Sequence, residues 1–101
     1  MSIDANDVRS NASAIVATIA RIPQKERDKL PGRQLVENFN MLLEIAQEVA
    51  PQVDKRLWPH PIAFRQQMNG VAIPDVNYTD LEIYARQIYD LVPIDFAISF
   101  G

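Results

Sequence analysis

Apolar residues recur along this chain in three long stripes with helical spacing. Val8, Ala12, Ile15, Ile19 and Ile22 follow one another at intervals of 4, 3, 4 and 3, which puts them on one face of a helix. Asp4 or Asn6 can cap its start, because a short side-chain oxygen accepts from a free first-turn amide. Pro23 ends it, since proline lacks the amide donor and its ring clashes with the preceding turn. In the second stripe Leu35, Phe39, Leu42, Ala46, Val49 and Val53 are spaced by 4, 3, 4, 3 and 4, and Val36, Leu43 and Ala50 widen it. So wide an apolar face suits the centre of a bundle rather than a narrow two-stranded seam. Pro51 disfavours helical backbone at Ala50 and marks that helix's boundary. The third stripe is Leu81, Tyr84, Ala85, Ile88, Leu91 and Val92, stopped by Pro93. Thr79 and Glu82 stand three apart at its start, the spacing of a capping box.

The segments between these stripes are punctuated differently. Residues 24–30 follow a proline and read as a short exposed helical turn, broken by Pro31-Gly32. Residues 53–57 read as another short turn. Two prolines exclude regular helix from Leu57-Trp58-Pro59-His60-Pro61, and residues 62–68 read as a further short helix. Asn69-Gly70 is a turn dipeptide, and Pro74 makes residues 71–76 extended or irregular. The last segment changes period: Ile94, Phe96, Ile98 and Phe100 alternate with Asp95, Ala97 and Ser99, as in a strand. The expected fold is therefore all-α. It is a small helical bundle of three long helices, about 4–21, 33–50 and 79–92, with short helical turns and an extended apolar C-terminal tail. Residues 1–101 form one domain, with Ile15, Ile19, Leu35, Phe39, Leu42, Ala46, Ile88 and Leu91 buried together.

Composition narrows the chemistry. The chain has 101 residues, 48% of them hydrophobic, which suffices to bury roughly two-thirds of the unfolded surface. It contains no cysteine, so disulfides, thiolate metal sites and a cysteine nucleophile are ruled out. The net charge of −3 argues against nucleic-acid binding, and no apolar stretch is long enough to cross a bilayer. The apolar residues 12–20 follow Asp4 and Asp7 rather than a basic region, so they read as a helix of a cytoplasmic protein, not as a signal peptide. The triplets Asn11-Ala12-Ser13 and Asn77-Tyr78-Thr79 then read as chance glycosylation matches. The single histidine, His60, has no histidine partner. Glu37, Glu44 and Glu48 read as the solvated face of the second helix, so no metal site, cofactor or catalytic group is expected. The three glycines form no phosphate-cradling loop.

Three regions are candidates for contact with a partner. Residues 21–33 carry five basic residues against two acidic ones, and Lys25, Arg27 and Lys29 are expected to be exposed there. Residues 71–101 carry five acidic residues against one basic. This two-sidedness suits either electrostatic steering or a solvated loop. The second region holds Arg56, Trp58, His60 and Arg65. Tryptophan and arginine are enriched at interface hot spots, and a proline-stiffened loop loses little entropy on docking. The same tryptophan can equally plug the open end of the bundle. The third is the tail, where Phe96, Ile98 and Phe100 either lie in a groove of their own bundle or pair with a second copy in a homodimer. The expected function is a non-enzymatic protein-interaction module of regulator, adaptor or inhibitor type, binding a protein partner or itself. An alternative is a small apolar-ligand binder with a pocket near Phe39, Trp58, Phe64 and Tyr84. A third reading is an enzyme built on His60, Arg65 and an acidic residue from another helix.

Overall fold

The computed structural model describes residues 4–66, 70 and 72–93. It is mostly helical, with a small two-stranded antiparallel sheet. The elements, in chain order, are α1 (Ala5–Ala20), a 3₁₀ turn (Gln24–Glu26), α2 (Arg33–Val49), a second 3₁₀ turn (Lys55–Leu57), β1 (Phe64–Gln66), β2 (Ala72–Pro74) and α3 (Tyr78–Leu91). The apolar tail expected over residues 94–101 lies outside the described residues.

The helix ends follow local chemistry at two of the three starts. Asp4 caps α1: the Asp7 amide donates to its carboxylate at 2.9 Å, and the Asp4 amide donates back to Asp7 at 3.2 Å. α2 starts after Gly32 with no side-chain cap. Its first turns carry an Arg33–Glu37 contact of 2.8 Å and a Gln34–Asn38 contact of 3.0 Å, both i,i+4. Ala50 leaves the helical region, as expected one residue before Pro51.

α3 departs from expectation. Its cap is Asn77, whose side chain accepts from the Asp80 amide at 2.8 Å, so the helix gains a start two residues before Thr79. Asparagine caps as well as serine does. The first free amides are satisfied from outside the helix: Tyr78 donates to the Lys29 carbonyl at 3.1 Å and Thr79 to the Arg27 carbonyl at 3.2 Å. With the Thr79 hydroxyl donating to the same Arg27 carbonyl, Glu82 is released from the capping box and faces arginines instead.

The all-α expectation is corrected at residues 62–74. No helix forms over residues 62–66. Phe64 pairs with Pro74, Arg65 with Ile73 and Gln66 with Ala72 in an antiparallel register. Pro74 sits at the end of its strand, where its missing amide interrupts no interior bond. Gly70 takes the positive φ of 74°, a backbone region open to glycine. The extended segment is anchored on α2. Asn40 donates to the Ile62 carbonyl at 3.0 Å and accepts from the Ile62 amide at 2.8 Å.

The core gathers Val8, Ala12, Ile15 and Ile19 of α1, Val36, Phe39, Leu42, Leu43 and Ala46 of α2, and Leu81, Ala85 and Ile88 of α3. Trp58, Ile62, Ala50 and Val92 close it from the connecting segments. Leu35 and Leu91, expected in the core, lie half-buried at its edge. α1 packs against both other helices, and most extensively against α3.

Candidate functional site

The 56–63 loop runs from the second 3₁₀ turn to the hairpin. Pro59 and Pro61 hold it extended, and the Asn40 clamp fixes its far end. Trp58 is only 5% exposed and Pro59 is buried, so the indole belongs to the core, as the plug reading has it. Leu57, beside it, is 57% exposed. Between this loop and α3 lies a cleft of about 420 Å³, walled by Leu57, Trp58, His60 and Ile62 on one side and by Tyr84 and Gln87 on the other.

The rim charges of this cleft are already engaged. Arg56 donates twice to Asp54, at 2.8 and 3.2 Å, and its amide donates to the same carboxylate at 2.9 Å. That side-chain hydrogen bond, helped by the backbone one, holds the Asp54 carboxyl below its ordinary value and raises Arg56. Across the hairpin Arg65 meets Asp75 at 2.9 Å. What the cleft offers is apolar wall, the imidazole of His60, the Tyr84 ring and the Gln87 amide. Phe39 and Phe64 do not line it. Phe39 is fully buried with its ring 6.4 Å from Tyr84, and Phe64 lies under the Arg33 guanidinium at 5.5 Å.

The basic connector also differs from expectation. Lys25 and Lys29 are exposed, and Lys29 sits 3.4 Å from Glu26. Arg27 is not exposed: 24% of its side chain is accessible. Its guanidinium donates to the Ala20 and Ile22 carbonyls at 3.1 Å each and lies 3.8 Å from Glu82. The carbonyls at the end of α1 carry partial negative charge and no intrahelical donors, so a cation there is favoured. Arg27 thus ties the end of α1 to the start of α3. The connector meets α3 at Tyr78 and Thr79, whereas the cleft uses Tyr84 and Gln87. The two candidate regions therefore stand about two helical turns apart. Phe96, Ile98 and Phe100 lie outside the described residues.

Two polar bridges went unforeseen. Arg9 donates to the Tyr89 and Val92 carbonyls at 2.7 and 2.9 Å and stacks over the Tyr89 ring at 3.9 Å. Its sequence signal is faint, a lone cation beside the apolar stripe of α1. Asn40 carries a similar signal, a polar residue between Phe39 and Met41. Among the described residues, no group of three histidine, cysteine or carboxylate side chains is placed to hold a metal ion, and no helix is long and apolar enough to cross a membrane. Compared with known proteins, the chain matches no family model, and neither a curated protein nor a solved structure matches it significantly.

Proposed function

We propose that the three long helices act as a small bundle whose work is to present a binding surface to another protein, as a non-enzymatic interaction module of regulator, adaptor or inhibitor type. The observation that carries this reading is the cleft between the 56–63 loop and α3, with its partly apolar walls and its exposed Leu57. Because Arg56 and Asp75 are committed to Asp54 and Arg65, the cleft favours an uncharged, apolar side chain over a charged one. A rigid loop and a pre-formed floor keep the entropic cost of docking low. Its volume also lies within the range of small-molecule sites, yet such sites enclose most of their ligand, and the exposed Leu57, His60 and Pro61 leave this one open to solvent. A protein segment laying one large apolar side chain into the cleft fits the opening better.

Trp58 is the only tryptophan, so its emission reports on the cleft directly. Peptides selected from a displayed library against the full chain are expected to centre on an apolar or aromatic residue and to shift Trp58 emission. Leu57→Asp should abolish that binding and leave the melting temperature unchanged. Peptides that bind the Leu57→Asp chain equally well would remove the cleft from consideration.

A further inference from the structure

We infer that the groove between α1 and α2 receives residues 94–100 of a second copy of this chain, in a reciprocal exchange. This groove, about 460 Å³, is separate from the Trp58 cleft. Its apolar lining includes Ala14, Ile15, Leu35, Leu42, Ile45 and Met41, and Met41 is 62% exposed, the largest value among the exposed large hydrophobic residues described.

α2 shows how an extended strand is held against this framework. On one flank Asn40 grips both the amide and the carbonyl of Ile62. Asn38, two residues earlier, is turned about 160° away and borders the groove on the opposite flank. Its oxygen accepts from Gln34, which leaves its amide hydrogens without a partner among the described residues. Across the groove Asn11 spends its amide on the Asp7 carbonyl, and its oxygen has no partner among the described residues. The groove therefore presents a donor and an acceptor on facing walls, which suits an extended backbone with its own amides and carbonyls to satisfy.

The chain carries a segment of matching pattern. Ile94, Phe96, Ile98 and Phe100 alternate with Asp95, Ala97 and Ser99, so an extended conformation puts four apolar side chains on one face. The point of departure decides whose groove it enters. The Val92 carbonyl is held by Arg9, on the α3 flank of α1. Asn11, two residues further on, faces the opposite flank, so the body of α1 stands between Pro93 and the groove of the same chain. Half a circuit of a helix about 10 Å across takes about 16 Å, or about five extended residues. Ile94, Phe96 and Ile98 would be used up on the way. In a second copy all four apolar side chains are free to enter, and a two-fold axis makes the exchange mutual.

Sedimentation of the full chain from low to high micromolar concentration tests this. A dimer is expected. Met41→Asp and, separately, Ile98→Asp should each yield monomers, with the helical content of the Met41→Asp chain unchanged by circular dichroism because Met41 is exposed. The chain has no cysteine, so Met41→Cys combined with Ile98→Cys gives two unique thiols. A bismaleimide should join them in a product of twice the chain mass, with peptide mapping showing residue 41 of one copy linked to residue 98 of the other. A monomer at every concentration, a dimer that survives Met41→Asp, or a 41–98 link at single-chain mass would each overturn the inference.

Discussion

α1 meets its two neighbours in opposite ways. Toward α3 the contact carries a polar bridge: Arg9 reaches over to the last carbonyls of α3 and lies on the Tyr89 ring, making two charge-assisted hydrogen bonds beside surface clefts of about 460 and 290 Å³. Toward α2 the contact is apolar at depth and open at the surface. Ile15 and Leu42 touch the core, while Met41, Asn38 and Asn11 line a groove with no side-chain bond across it among the described residues. Both neighbours of α1 carry a helical apolar stripe in the sequence. Apolar stripes bring helices together, because burying them is favourable whatever the exact approach. A directional polar bridge then fixes where the end of one element sits against the other.

The comparison fails first if the shared floor is removed. Phe39 is fully buried beneath both flanks, and Phe39→Ala should cost about 3–5 kcal/mol in urea unfolding, from lost transfer energy and a residual cavity. A loss under about 1 kcal/mol would mean that the α2 stripe does not point into this core. Arg9→Ala tests the bridged flank alone. It should cost about 1–2 kcal/mol and speed amide exchange in the last turn of α3, because two carbonyls lose a charged donor at a partly exposed site. Equal exchange rates in the two chains would show that the bridge does not hold the end of α3.

The smallest effect belongs to a charge pair that bridges no two elements. Asp54 and Arg56 are two residues apart and exposed. The hydrogen bond from Arg56 lowers the Asp54 carboxyl below 3.8 in the folded chain. A lowered carboxylate contributes stability that is present above its unfolded value and is lost as pH falls through its folded value. Asp54→Asn should therefore leave the urea midpoint at neutral pH almost unchanged, since exposed pairs contribute little. Titration of the Asp54 carboxyl by NMR should show its midpoint below the ordinary aspartate value. A midpoint at or above 3.8 would separate this pair from the geometry described here.

Much of the helical framework was legible in the chain. Expected spans of 4–21, 33–50 and 79–92 became Ala5–Ala20, Arg33–Val49 and Tyr78–Leu91. Periodicity and proline are local properties, and they act on neighbours within a turn or two. The candidate site was legible only in part. The 56–63 loop does border a cleft with Tyr84, yet Trp58 is core, Phe39 and Phe64 lie elsewhere, and the arginines at its ends are engaged by Asp54 and Asp75. Arg27 read as a solvated cation because nothing near it in sequence marks the Ala20 carbonyl or Glu82 as its neighbours.

The sequence by itself determined where helices run, which faces they bury, and where proline breaks them. These follow from backbone sterics and from the period at which apolar side chains recur. Tertiary structure decided the remainder. It drew residues 64–66 into a strand, moved the α3 cap to Asn77, and bridged one flank of α1 through Arg9 while leaving the other without a side-chain bond across it among the described residues. In each case a backbone or side-chain polar group found its partner far along the chain: Asn40 at Ile62, Arg27 at Thr79, Arg9 at Tyr89 and Val92. A polar group leaving water must be satisfied wherever a donor or acceptor stands, and only the folded chain brings those distant partners within about 3 Å.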